Sequence, residues 1–363
     1  MNASCDSIDI NKKIVEFIDS GRSFTVALIL KAEGSTPREA GVKAVIDSTG
    51  KIWGTLGGGV VEAEAQRKAI EVCKSKKPVV FDMNLYGADR TDDVPICGGL
   101  MRILLDPTAA KVKDAYAQVA EAISQRQRGV MLTTVRSGTC TKVKAQWFPK
   151  EDIPINAEFP GKDNIKSCLA QEKSQLFTES SVDPLILTEV LVEPVIPKPL
   201  LIIAGGGHVS QAVALAGSIV GFDITVIDER SEFTDPALFP EGTKTYDGDI
   251  PKLITSQPIA GDTYIVIVTR GHELDAECLE ACIHAPAAYI GMIGSKRKVA
   301  LIRKNFIESS IATEEEFNRI HAPIGLDIGA VTVPEIAASI TAELIAVRRK
   351  SNSKSSISKK VQL

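Results

Sequence analysis

The chain has 363 residues, enough for two domains that each enclose a core. Its 44% apolar and 24% charged residues are ordinary for a globular protein, while a net charge of −4 and a pI near 5.8 argue against general nucleic-acid or membrane-surface binding. The first residues lack a basic segment followed by an apolar one, no apolar run reaches the roughly 18 residues of a membrane span, and seven scattered cysteines form no disulfide framework. A cytoplasmic protein with reduced thiols, no membrane and no nucleic-acid partner is therefore expected.

In chain order, residues 8–20 place Ile10, Ile14, Phe17 and Ile18 at helical spacing, and residues 24–31 read as a buried strand. The breaker-rich loop GSTPREAG (34–41) carries Pro37, Arg38 and Glu39. A hairpin is expected from 42–46 and 52–55. Gly57, Gly58 and Gly59 then form a triple-glycine turn ahead of a helix over about 60–73, which carries Glu62 near its start and Val61, Ala65, Ala69 and Val72 on one face. A turn that needs positive φ explains one glycine of this kind. Three in succession leave a ligand cradle as the competing reading.

Residues 79–83 read as a strand, and a loop rich in Asp and Gly runs to ICGG, which holds Cys97, Gly98 and Gly99 before a strand over 100–106. Free cysteines are most often packing residues, but a thiol beside two glycines at the end of a polar loop is also placed to meet a soft metal. A helix is expected over 109–126 and strands near 130–135 and 143–148. Residues 150–175 read as an irregular surface excursion, 185–192 as a strand, and PVIPKP (194–199) as a stiff linker between domains.

The second half opens with LLIIAGGGHVSQAVALAGSIVGFDITVIDER, which is strand, Gly-rich turn, small-residue helix, strand and acid in the order of a dinucleotide-binding unit. Gly205 makes the tight turn, Gly207 lets the backbone approach a pyrophosphate, and the amides near Gly207, His208 and Val209 face an anion at the positive helix end. Ser210 stands where a third glycine is usual. Asp228, 21 positions after Gly207, is expected to accept from a ribose hydroxyl and to disfavour a 2′-phosphate. A Rossmann-type topology does not by itself establish that NAD or another nucleotide is bound. Further on, His272 follows a glycine at the end of the strand over 264–268. Cys278 and Cys282 read as buried packing residues, because no third metal ligand completes a set. Gly294 and the cap residue Ser295 open a helix with Lys296, Arg297 and Lys298 in its first turn; those cations oppose the helix dipole, so either an anion binds there or the turn is simply solvated. HAPIGLDIGA (321–330) is a glycine-punctuated loop. Pro334 opens a last helix to 347, and a Ser/Lys-rich tail follows from 350 and reads as disordered.

Taken together, GSTPREAG, GTLGGGVVEAEA, ICGG, GGGHVSQA with VIDER, GHELD, YIGMIGSKRK, and HAPIGLDIGA with PEIAASITAELIAVRR resemble the XdhC/CoxI family over about residues 24–349. The region 150–175 falls outside the likeness, and Ser210 departs from the glycine common at that position. The resemblance implies an accessory protein of purine catabolism for xanthine dehydrogenase or a related molybdenum hydroxylase. Such a protein binds the molybdenum cofactor (molybdopterin), protects it while its terminal sulfur is installed, and inserts it into the apo-enzyme. It also implies a cysteine desulfurase-type sulfur donor and a homodimer. Carried over by position, the ligand region is Pro37, Arg38, Gly57–Gly59 with Glu62, and Cys97–Gly99, with Cys97 a candidate molybdenum ligand. The fold expected is α/β: an N-terminal mixed α/β domain (1–195), a C-terminal Rossmann-type domain with a mostly parallel sheet (200–349), and the tail (350–363).

The residues themselves agree with a cofactor handler. A Gly-rich helix start and a basic turn suit the phosphate monoester of a pterin cofactor, and a thiol suits its molybdenum–sulfur end. No general base with a positioned partner, no Ser-His-Asp set and no HExxH pattern is found, so no catalytic residue is assigned. Two other readings stay open: an NAD-dependent oxidoreductase using Asp228 with His272 or Cys97, and a noncatalytic subunit of the dehydrogenase complex.

Overall fold

The computed structural model describes residues 9–85, 98–153, 159–180 and 186–354. The chain divides into two compact units, Met1–Pro197 and Lys198–Leu363.

In the first unit, α1 (Ile10–Asp19) starts at Asp9, whose carboxylate accepts from the amides of Asn11 and Lys12. It is followed by β1 (Phe24–Gly34), β2 (Lys43–Asp47), β3 (Ile52–Gly54), α2 (Gly59–Ser75), β4 (Val79–Asn84), β5 (Gly99–Asp106), α3 (Lys113–Ser124), β6 (Gly129–Ser137), β7 (Lys142–Pro149), α4 (Ile165–Gln171), β8 (Gln175–Ser180) and β9 (Leu187–Val195). The strands form two antiparallel sheets, in the orders β3-β2-β1-β5-β4 and β7-β6-β9-β8.

Alternation along β1 layers the unit. Ala27 and Ile29 pack on Val61, Ala65, Ala69 and Val72 of α2, while Phe24 and Val26 meet α1 and α3. Leu28 and Leu30 pack with Val135 and Leu191 of the second sheet. Buried carboxylates tie the sheets together: Glu193 on β9 pairs with Lys43 on β2, and Glu189 takes Arg102 of β5 at 2.8 and 3.1 Å. Each is an arrangement that is costly to break from one side, because the partner is left charged and buried.

The stretch 150–175 is not the irregular excursion expected of its polarity. It contains α4, whose Ile165 and Cys168 are buried against Val130, Leu132, Val190 and Val192, and it leads into β8, the edge strand of the second sheet. A few anchoring side chains in a polar segment do not display a helical period. β9 also runs into the proline-rich linker: Pro194 sits opposite Val130 but beyond the end of β8, where its missing N–H is not needed.

The second unit comprises β10 (Leu200–Ala204), α5 (His208–Ile219), β11 (Asp223–Asp228), β12 (Lys244–Asp247), α6 (Ile250–Thr255), β13 (Thr263–Ile267), α7 (His272–Cys282), β14 (Tyr289–Met292), α8 (Lys296–Glu308), α9 (Glu314–Asn318) and α10 (Val333–Lys354). All five strands are parallel, in the order β12-β11-β10-β13-β14. One face of the sheet packs on α6, α7, α8 and α9, and the other on α5 and α10. Both faces are covered, which is why these strands read as unbroken apolar runs. The strand order reverses between β10 and β13, so the crevice beyond their carboxyl ends is the place where an open α/β sheet binds ligands. The final helix continues through Lys354, past the end at 347 expected from the sequence. No described helix is long and apolar enough to cross a membrane.

Candidate functional site

The first unit gathers three sequence-predicted segments at one corner of its first sheet. The Gly34–Arg38 loop leaves β1, the Thr55–Gly59 turn leads into α2, and Gly98–Gly99 leads into β5. The Ser35 amide donates to the Gly98 carbonyl at 2.9 Å, and Gly34 pairs with Gly99. A side chain at Gly99 would lie 2.7 Å from the carbonyls of Glu33 and Ser35. Gly57, with φ +112, faces Pro37: a Cβ there would lie 2.5 Å from the Pro37 Cβ and 3.4 Å from the Arg38 Cγ. Packing therefore accounts for Gly57 and Gly99.

It does not account for Gly58 and Gly59. Both have positive φ (+76 and +56), and nothing lies within 4 Å of where their Cβ atoms would be. The turn stays open above the first amides of α2, which have no intrahelical partner. Arg38 is exposed beside it and makes no ion pair among the described residues. Glu62 is not free to meet a ligand through the oxygen that faces the turn. Its Oε1 accepts from Thr55 Oγ1 at 2.5 Å and from the Leu56 and Gly58 amides at 2.9 Å each. Burial works to raise the Glu62 pKa, but these hydrogen bonds outweigh it and hold the carboxyl below its usual value. Glu62 thus shapes the turn. Cys97 lies outside the described residues.

In the second unit Gly205, Gly207, His208, His272, Gly294, Ser295, Lys296 and Arg297 lie at the carboxyl ends of three adjacent strands, β10, β13 and β14. Gly205 (φ +103) is pressed against β13: a Cβ would lie 2.6 Å from the Val268 carbonyl oxygen. Gly207, the N-cap of α5, faces open space, and His208 and His272 are exposed at the first positions of α5 and α7. Ser295 caps α8 by accepting from the Lys298 amide at 3.2 Å. Lys296 and Arg297 are exposed, but the third cation is committed. Lys298 pairs with the fully buried Asp275 of α7, whose other oxygen accepts from Thr269 N and Oγ1 at 3.1 and 2.5 Å. That clamp joins β13, α7 and α8 beneath the crevice.

Asp228 requires a correction. An ionised carboxylate has about four acceptor positions, and here four donors use them: Gly206 N (2.7 Å), Arg230 N (3.0 Å), Arg230 Nε (2.8 Å) and Arg230 Nη2 (2.9 Å). The side chain is buried and has no acceptor left for a ribose hydroxyl. Burial raises its pKa, but the Arg230 and Gly206 hydrogen bonds win and hold it ionised. The sequence reading missed Arg230, two residues past the acid, although VIDER displays it. Also unforeseen was the group around Glu343, which accepts from Tyr289 Oη (2.5 Å) and the Gly325 amide (2.8 Å) and pairs with His321 Nδ1 (2.9 Å), holding the 321–330 loop to α10. Among the described residues no cluster of three or more His, Cys, Asp or Glu side chains is arranged to hold a metal ion.

Residues 17–84, which include the Arg38–Glu62 corner, match the family model for the XdhC and CoxI family, and residues 201–344 match the XdhC Rossmann domain. The chain belongs to the XdhC/CoxI family. It is 26% identical over 328 residues to the uncharacterised protein YqeB of Escherichia coli (strain K12), an alignment that covers 90% of this chain but 43% of YqeB. The chain thus spans under half the length of that relative. It is 21% identical over 337 residues to a Bacillus subtilis (strain 168) protein described as a probable xanthine dehydrogenase subunit, with 90% and 93% of the two chains covered. It is 23% identical over 334 residues to the molybdenum cofactor insertion chaperone PaoD of Escherichia coli (strain K12), covering 92% and 86%. A crystal structure of a Bacillus halodurans protein described as a xanthine dehydrogenase shares the fold, with a TM-score of 0.70, 22% identity, and coverage of 94% of this chain and 96% of that one.

Proposed function

We propose that this family member carries the molybdenum cofactor as cargo, holds it while its terminal sulfur is installed by a cysteine desulfurase-type donor, and delivers it to an apo-molybdenum hydroxylase such as xanthine dehydrogenase. The observation that carries the reading is the open Gly58–Gly59 turn beside Arg38. Two glycines are kept at positive φ with no packing need, the first amides of a 17-residue helix are unpaired within it, and the exposed Arg38 lies against Gly57 of the same turn. That set fits the phosphate monoester of a pterin cofactor: backbone N–H groups at a positive helix end supply directional donors, and the guanidinium supplies charge. Glu62 holds the turn in shape, and Pro37 seats Gly57. Cys97, adjacent in sequence to Gly98, supplies the soft donor for the molybdenum–sulfur end in this reading.

The name of PaoD supports a transient chaperone, and the name of the Bacillus subtilis relative supports a component that stays with the enzyme. Purification from cells that make a molybdenum hydroxylase separates these: fixed-ratio co-purification favours the resident component, and cargo-loaded protein without client favours the chaperone. Mass measurement of the same material tests the homodimer. For the cargo itself, the purified chain is loaded with molybdenum cofactor released from a donor enzyme, and retained pterin is read by fluorescence after oxidation. Arg38→Gln and Cys97→Ser are each expected to lower retention several-fold with the melting temperature nearly unchanged. Retention equal to the parent in both variants would remove the site.

A further inference from the structure

We propose that the crevice of the C-terminal unit binds an adenosine nucleotide bearing a 2′-phosphate, with Arg230 as the residue that selects it. This reverses the preference expected from Asp228 alone, and it stands independently of the cargo site in the first unit. A nucleotide whose phosphates lie at the start of α5 places its adenosine ribose at the end of the second strand, β11. There the structure presents a fixed guanidinium. Arg230 donates Nε–H and one Nη2–H side-on to Asp228, at 2.8 and 2.9 Å.

A guanidinium has five N–H donors, so three on Nη1 and Nη2 remain. They point away from the carboxylate and have no partner among the described residues. One face of the guanidinium lies 3.8 Å from the centroid of the Phe233 ring, which limits its rotation, and the side chain keeps 18% of its surface exposed. Asp228 and Phe233 thus hold a fork with its unused side free, the arrangement that recognises phosphate rather than a hydroxyl.

The position belongs to the crevice and not to a distant surface. The Phe233 carbonyl packs against Gly206 so closely that no side chain fits there, and Gly206 N donates to Asp228 at 2.7 Å. A second polar group at the turn is unsatisfied: the Ser210 hydroxyl, in the first turn of α5, is fully buried and has no partner among the described residues. Besides Asp228, Glu229 and Glu232 are the acids whose charge acts on Arg230. Both are exposed, where solvent and salt screen them, whereas the guanidinium is partly buried.

The test is calorimetric titration of the full chain with 2′,5′-ADP, 3′,5′-ADP and 5′-AMP, followed by NADP and NAD. The expected result is 2′,5′-ADP tighter than 5′-AMP by at least about tenfold, with 3′,5′-ADP close to 5′-AMP, and a preference that grows as salt is lowered. Arg230→Gln should bring the ratio to one or below, because it removes the guanidinium and frees two Asp228 acceptor positions for the ribose hydroxyl of 5′-AMP; Arg230→Lys should keep part of the preference. Equal or reversed affinities in the parent chain, a preference that survives Arg230→Gln, or no binding of any of these nucleotides at millimolar concentration would each overturn the proposal. If Arg230→Gln does not fold, the parent comparison between the 2′- and 3′-phosphates decides alone.

Discussion

Replacing Glu62 tests whether the triple-glycine turn is a built cradle or a passive loop. Glu62→Ala removes the acceptor shared by Thr55 Oγ1 and the Leu56 and Gly58 amides. A buried donor left unpaired costs about 1–3 kcal/mol. Because water reaches part of this turn, the three together are expected to cost about 2–3 kcal/mol rather than their sum. For a unit of this size that lowers the melting temperature by about 4–12 °C. The chain has two tryptophans, Trp53 and Trp147, and both lie in the first unit, so tryptophan fluorescence follows its unfolding separately.

Glu62→Gln keeps an acceptor but loses its charge, and about 1 kcal/mol is expected. The carboxyl is held below its ordinary value of 4.5, so the parent's advantage over this variant is complete above that pH and is lost as pH falls through the lowered value. An unfolding midpoint within about 2 °C of the parent for Glu62→Ala, or an advantage over Glu62→Gln that grows with acid, would refute the account.

Three further outcomes follow from the same contacts. Gly57→Ala drives a methyl into Pro37 and should destabilise the first unit by about 2–3 kcal/mol, whereas Gly59→Ala meets only the positive-φ penalty of about 1 kcal/mol; equal effects in fluorescence melts would contradict this. Lys298→Met leaves the buried Asp275 without its cation and is expected to cost about 3–5 kcal/mol, read by circular dichroism of the second unit, and a neutral result would mean that the clamp contributes nothing. Cys140 is exposed and should react with a thiol reagent in the native state, while Cys73, Cys168, Cys278 and Cys282 are buried and should react only on unfolding. Burial pushes the Cys168 thiol to about 11, Cys282 to about 12 and Cys278 higher still, so rapid native labelling of any of these would show that the packing is looser than described.

The sequence alone determined the features that repeat at a short period or sit at a chain break. The apolar runs over β10, β11 and β13 are legible because a sheet covered on both faces needs unbroken hydrophobic strands. The face of α2 at Val61, Ala65, Ala69 and Val72 is legible because it packs on one sheet. Ser295 and Gly205 declare a cap and a tight turn by residue type. Tertiary structure decided what each polar group is occupied with. Glu62 and Asp228 both read as ligand contacts, yet each carboxylate is bound to its own chain: one by the turn that it shapes, the other by Arg230 and Gly206. Lys298 reads like Lys296 and Arg297 but is drawn onto Asp275, 23 positions earlier. α4 and β8 are fixed by a few contacts with distant strands rather than by a local pattern. A hydrogen-bond acceptor shows its chemistry in one letter, but whether its lone pairs are already filled depends on residues that only folding brings near it.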